Sequence, residues 1–254
     1  MGYLGLVILL GVPSNIIILR KLLQEQRLSH KDTVKSGFVM LKIHLNITDL
    51  LILTLALGKL MWLITYEWVG GDFLCRMFQL LSMFAMYSSS NIVVCIAVDR
   101  LRNVMYADKV RGKPKMMNPV TVLAALSWIF SFACSLPQLL AWQTFEVPMY
   151  GGWTQCTDIW QISRFGGNLT IDPHSKILTR FVENSYNILH LVLVFWGPLL
   201  VLVVCHVLIA TKLMQYSLRP PGLLRMVASV MTINCLGFQT GDGNCGAEYS
   251  EPRF

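Results

Sequence analysis

The sequence predicts an all-α polytopic membrane protein, a bundle of transmembrane helices. Three observations carry that prediction. Hydrophobic residues make up 54% of the chain and charged residues only 14%, far from the balance of an average soluble domain. The apolar residues also gather in long blocks instead of amphipathic periods: Tyr3–Leu19, Ile43–Ile64, Leu74–Val98, Pro119–Trp142 and Asn187–Met214. Each reaches or approaches the length of about 20 residues that crosses a bilayer. Thirdly, the charges between blocks alternate in sign along the chain. A segment in lipid must satisfy its own backbone hydrogen bonds, so the blocks are helices.

The charge alternation sets the topology. The first link carries Arg20, Lys21, Arg27, Lys31, Lys35 and Lys42, and the third carries Arg100, Arg102, Lys109, Arg111, Lys113 and Lys115. The second link has Glu67 and Asp72 and no base before Arg76, and the fourth has three bases against four acids. Basic links mark the cytoplasmic side, so the N-terminus points outward. The net charge of +7 is therefore topological, and no nucleic-acid partner is implied.

Residues 1–216 are expected to hold five spans, at about 3–23, 39–64, 74–101, 119–142 and 185–214. The first begins almost at Met1, with little or no extracellular leader. No small-x-small cleavage pattern precedes its basic residues, which argues against a signal peptide. Pro13 is placed to kink it. The second span holds Asp49, and an aspartate in mid-membrane is costly and by default functional. Lys59 lies ten residues outward. It either faces the bundle, ready for an anionic or phenolic ligand group, or snorkels to the interface.

In the third span, Cys75 precedes Arg100 by 25 residues, which places the cysteine at the outer face and Asp99-Arg100-Leu101 at the inner one. Gln79, Ser82, Met83 and Met86 share one helical face by the i, i+3, i+4, i+7 rule. That face is either a pocket wall or core. The fourth span opens with Asn118 as cap and Pro119 as first helical residue. Asn187 and His190 share a face near the outer end of the fifth.

The fourth link offers Trp153, Trp160 and Phe165 as covers for a ligand, and Asn168-Leu169-Thr170 is a glycosylation sequon. Asn46-Ile47-Thr48 is also a sequon by letter, but it lies inside a helix. Residues 217–254 form an atypical C-terminal segment: Leu223–Phe238 is apolar but short and contains Arg225, and Gln239–Phe254 is rich in glycine and polar residues. The latter composition predicts disorder. No cysteine–histidine group has zinc spacing, and the sequence has no phosphate loop, GxSxG or HExxH. Nothing argues for an enzyme.

Several residues recur where one large family carries them. Asn15 anchors the first span, Leu45 and Asp49 form a Leu-x-x-x-Asp signature, and Trp68-Val69-Gly70-Gly71-Asp72-Phe73-Leu74-Cys75 leads into the third span. Asp99-Arg100-Leu101 closes it, Trp128 and Pro137 stand in the fourth span, and Phe195 and Pro198 stand in the fifth. Taken jointly, this pattern resembles the rhodopsin-like (class A) G-protein-coupled receptors, although Ser14 replaces a glycine and His206 a tyrosine. Trp62-Leu63-Ile64-Thr65-Tyr66-Glu67-Trp68 and Phe84-Ala85-Met86-Tyr87-Ser88-Ser89 resemble the gonadotropin-releasing hormone, adipokinetic hormone and vasopressin receptor group, and Asn103–Lys109 its divergent invertebrate members.

The resemblance implies helices one to five of a seven-helix receptor in the plasma membrane. It implies a Cys75–Cys156 disulfide, and these two of the seven cysteines are the ones the charge pattern puts outside, where oxidation is permitted. Asp99 and Arg100 would face a heterotrimeric G protein. Asn15, Asp49 and Ser89 would belong to a sodium and water cluster in a complete receptor, and no other cofactor is implied. Lys59, Gln79, Ser82, Met83, Met86, Asn187 and His190 would line the pocket of a secreted peptide, and receptor dimers are a further expectation.

The pattern stops after the fifth helix, because the family's Cys-Trp-x-Pro and Asn-Pro-x-x-Tyr motifs do not occur. The chain as given is thus expected to be a truncated receptor that does not signal alone. The alternative is a non-signalling membrane partner that associates with full-length receptors. A channel or carrier would need more intramembrane charge than Asp49 and Lys59.

Overall fold

The computed structural model describes residues 2–28, 33–105, 119–147, 151–165 and 173–217. The sequon at Asn168, most bases of the third link and residues 218–254 lie outside the described residues. The chain divides into two compact units at Ile209/Ala210. The first holds every feature discussed below. Of the second, the described part is the last turns of one helix, from Ala210 to Ser217.

Among the described residues, five helical stretches are long and apolar enough to cross a membrane. Helix α1 is Gly2–Leu28, α2 Thr33–Thr65 and α3 Gly71–Met105. Each runs beyond the predicted span, because basic and polar turns continue the helix past the bilayer edge. Pro13 sits inside α1 without interrupting it. The Ser14 hydroxyl donates to the Leu10 and Gly11 carbonyls, satisfying acceptors in the turn that proline disturbs.

The predicted fourth span over 119–142 corresponds to Pro119–Ala141, with a break inside it. Helix α4 is Pro119–Ser135, and a short α5 follows at Gln138–Ala141. Pro137 has no N–H to continue the ladder, and the chain passes through a turn with Leu136 N–H donating to Ala133 O. Trp142 lies in strand β1 (Trp142–Glu146), which pairs antiparallel with β2 (Thr154–Asp158), Thr144 opposite Cys156. Gly151 and Gly152, at φ 54° and 97°, supply the left-handed residues of the connection. This hairpin had no counterpart in the sequence reading.

Helix α6 (Ile159–Phe165) precedes the fifth span, which is α7 (Pro173–Leu191), a π-helical turn at Val192–Trp196 and α8 (Gly197–Ser217). The wide turn has a local cause. Pro198 removes a donor to the carbonyl four residues back, and Gly197 N–H instead reaches Val192 O, five residues back. A Cβ at Gly197 would lie 3.0 Å from that oxygen, so glycine is what the turn admits.

Small and polar residues share the interior with Leu41, Ile92 and Val39 where helices meet. Thr48, Ser88, Ser131 and Ser135 are fully buried, while Leu9, Leu10 and Leu200 are 64–70% exposed. That inversion is what a hydrocarbon solvent imposes: apolar side chains gain nothing by turning inward, and small residues allow close helix approach. Asn46 Nδ2 donates to Asn15 Oδ1 at 2.8 Å, Asn91 Nδ2 to Ser131 Oγ at 2.9 Å and Trp128 Nε1 to His44 Nδ1 at 3.3 Å. These bonds tie α1 to α2, α3 to α4 and α4 to α2.

Candidate functional site

Between the outer halves of α2 and α3 lies a cavity of about 210 Å³. Lys59, Gln79, Ser82, Met83 and Met86 line it together with Ile52, Leu55, Ala56, Trp62 and Phe78. Its wall is apolar except for one ammonium, one carboxamide and one hydroxyl. Ser82 Oγ donates to Phe78 O at 2.7 Å, which leaves its lone pairs free. Among the described residues, neither Lys59 nor the buried Gln79 has a hydrogen-bond or ion-pair partner. Lys59 is exposed although it lines the cavity, so its ammonium stays hydrated and can meet an acceptor or an anion that enters there.

The cavity's outer rim is built by the hairpin. The Cys75–Cys156 disulfide joins the start of α3 to β2, with Cα atoms 5.5 Å apart. Trp68, Cys75 and Cys156 form a buried cluster with Trp62, Phe78 and Trp142 around it. Trp62 links the two levels, because it lines the cavity and its Nε1 donates to Gln155 Oε1 on β2 at 3.2 Å. Trp68 N–H donates to Thr154 O at 2.9 Å, and Thr154 Oγ1 donates back to Trp68 O at 2.6 Å. Asp72 accepts from Thr144 N–H at 2.9 Å and pairs with Arg76 at 2.7 Å, and Arg76 Nη1 also donates to Leu139 O at 2.8 Å.

Other residues named from the sequence stand elsewhere. Asn187 is exposed and does not line the cavity. His190 Nδ1 lies 2.8 Å from the Tyr87 hydroxyl, one turn inward of the cavity, so it fastens α7 to α3. Trp160 is buried against Tyr186, ring centroids 5.0 Å apart, and is packed, not poised as a cover. Trp153 Nε1 donates to Tyr66 O at 2.8 Å. Phe165 ends α6.

Of the three residues expected in a sodium and water cluster, Asn15 is engaged by Asn46 and donates to Gly11 O. Asp49 and Ser89 are half-buried and have no hydrogen-bond or ion-pair partner among the described residues.

At the inner end, Asp99 is 3% exposed. Its two oxygens accept from Arg102 Nη2 at 2.9 Å and Asn103 Nδ2 at 3.1 Å. Arg100 is exposed and lies over the Phe38 ring, its guanidinium carbon 3.6 Å from the centroid. The sequence neighbours Asp99 and Arg100 therefore serve different partners. Helical geometry explains why: adjacent residues point about 100° apart, while positions three and four along share a face.

The sequence profile of the 7 transmembrane receptor (rhodopsin family) matches residues 14–236. That match extends past the fifth span. The G-protein coupled receptor daf-38 of Caenorhabditis elegans is 33% identical over 206 residues, covering 79% of this chain and 46% of that protein. The gonadotropin-releasing hormone receptor of Trichosurus vulpecula is 28% identical over 190 residues, 74% of this chain and 53% of the receptor. The human vasopressin V1b receptor is 30% identical over 156 residues, 61% of this chain and 35% of the receptor. The chain spans about half the length of these relatives, or less. With five membrane-length helices and a profile match across most of its length, the chain belongs to the rhodopsin family of seven-transmembrane receptors, multi-pass plasma-membrane proteins that are not enzymes.

Proposed function

We propose that this chain forms the first five helices of a receptor that couples a secreted peptide or peptide hormone to a heterotrimeric G protein. The observation that carries the reading is the cavity under the hairpin, where Lys59 stands unpaired beside Gln79, Ser82, Met83 and Met86. An apolar chamber with one cation at its wall selects an apolar group bearing an acid or a strong acceptor. Peptides supply such groups, and the likeness to receptors for gonadotropin-releasing hormone and vasopressin supports a short hormone-like peptide. Arg100 at the opposite end of α3 is the residue the G protein would meet.

The test is a fusion in which the sixth and seventh helices of the nematode relative follow Ser217. Cells carrying it are challenged with a panel of short secreted peptides, including those two hormones. A second-messenger response that disappears with Arg100→Ala, while peptide binding persists, supports the reading. A fusion that reaches the cell surface yet binds no peptide of the panel overturns it.

A further inference from the structure

Helix α2 ends at Thr65, and the residue after it takes an unusual backbone conformation. Tyr66 has φ 57° and is, among the described residues, the one non-glycine residue in the left-handed region. Its N–H donates to Trp62 O at 3.1 Å, the bond that closes a helix whose next residue is left-handed. Glycine fills that position without steric cost, and tyrosine does not. The tyrosine side chain is exposed and does not account for the conformation. The carbonyl does, because it accepts from Trp153 Nε1 at 2.8 Å and from Gln155 Nε2, two donors from the hairpin. A residue kept in a costly conformation by contacts from another element marks a place where the fold over-determines its geometry.

That geometry bears on Trp62. Its ring lines the cavity and stands edge-on to Trp68, with centroids 5.0 Å apart, and its Nε1 donates to Gln155 Oε1 at 3.2 Å. Gln155 thus uses both ends of one carboxamide, the oxygen on the Trp62 side chain and the nitrogen on the Tyr66 carbonyl. The amide orientation is forced, since an indole N–H only donates and a carbonyl only accepts. The next residue, Cys156, is bridged to Cys75 on α3, so Gln155 sits at the best-anchored point of β2. An indole N–H is aimed by its acceptor, and without one the ring is held by apolar packing alone.

We infer that Gln155 is a positioning residue that, together with the left-handed Tyr66, holds the Trp62 ring as the cavity wall next to the hairpin. The hairpin therefore sets how far the cavity opens, and a displacement of β2 is felt inside it. That a peptide is the ligand selected by this wall rests on the receptor reading given above; the wall itself does not.

The experiment uses the full chain in lipid nanodiscs with nitrogen-15 in the tryptophan indoles, the Trp62 signal being the one that Trp62→Phe removes. Gln155→Leu should move that signal upfield and speed its exchange with water, while Gln155→Glu, which keeps an acceptor, should leave it hydrogen-bonded. Tyr66→Gly should leave it in place, because glycine takes the left-handed conformation freely, and Tyr66→Val should disturb it as Gln155→Leu does. In a Ser82→Cys background, a water-soluble methanethiosulfonate reagent reads access to the cavity. Labelling of residue 82 should rise about two- to ten-fold with Gln155→Leu or Trp62→Phe, the ratio that one hydrogen bond represents. The two changes combined should give no more than either alone.

A Trp62 signal or a labelling rate that ignores Gln155→Leu overturns the positioning role. Tyr66→Gly disturbing the signal as strongly as Tyr66→Val overturns the part given to the backbone of Tyr66. In the fusion that carries a sixth and seventh helix, peptide affinity should fall about two- to ten-fold with Gln155→Leu, and equal affinity overturns the wall's part in selection. A fusion that binds no peptide overturns the receptor reading, and the spectra and labelling still decide the wall.

Discussion

The two ends of the α2–α3 pair are held by different forces. At the outer end a disulfide, an ion pair and a set of hydrogen bonds from Trp62, Trp68, Thr144 and Thr154 fix the hairpin over the cavity. At the inner end Arg100 is held by the face of one ring, and the buried acid beside it looks to Arg102 and Asn103. Covalent and directional bonds set geometry before a ligand arrives, which lowers the ordering cost of binding. A single cation–ring contact has a strength of about 0.5–1 kcal/mol at an exposed site, small enough for a partner to displace. The contrast fits a molecule that receives at one end and yields at the other.

The largest expected effect breaks the rigid end. Cys156→Ser should cost about 2–4 kcal/mol of stability, the usual range for losing one disulfide, read as a lower melting temperature in detergent micelles. The remaining hydrogen bonds of the hairpin make partial docking the expected outcome, so protease cleavage near Gly151 should rise without the bundle unfolding. Unchanged melting would mean that the bridge is dispensable and the outer end no firmer than the inner.

Lys59→Ala comes next and asks what the rigid end is for. If the ammonium meets an acidic ligand group, affinity for the peptide should fall by about 1–3 kcal/mol, the value of a hydrogen bond to a charged group. Lys59→Arg should restore part of it, and melting should be unaffected. Equal affinity in all three proteins would place the ligand's charge elsewhere.

Arg76→Ala removes the ion pair with Asp72 and the bond to Leu139 O. Because the pair is solvent-exposed its own share is small, and a loss of about 1 kcal/mol is expected from the two contacts together. A double-mutant cycle with Asp72→Asn measures their coupling, and a coupling near zero would remove Arg76 from the clamp. The smallest effect is expected for Trp153→Phe, which deletes the Nε1 bond to Tyr66 O. About 0.5–1 kcal/mol is the expected loss, visible as faster amide exchange in β2 and not as a change in melting.

Much of this molecule was legible beforehand because lipid makes sequence rules strict. Apolar block length led to five helices, and residue spacing put Gln79, Ser82, Met83 and Met86 on the face that lines the cavity. His44 and Asn46 were missed, although both are polar residues inside an apolar block and that signal was present. They turned out to hold Trp128 and Asn15.

The placing of Asn187 and His190 with Lys59 went beyond what a sequence can tell. A shared helical face says nothing of the neighbour it meets: His190 meets Tyr87 on α3, and Asn187 stays exposed. The hairpin was hidden because its strands are short, and their pairing depends on a bridge to α3.

By itself, then, the sequence determined the membrane class, the order of the spans and the chemistry available on each helix, since hydrophobic length and helical period are local quantities. Only the tertiary structure decided which partner each polar group has: Arg100 on Phe38, Asp99 with Arg102, His190 on Tyr87, Lys59 unpaired in its cavity. Those choices depend on how close two helices approach and at what rotation. Both are set by small residues and buried hydrogen bonds acting across the bundle, which no single segment contains.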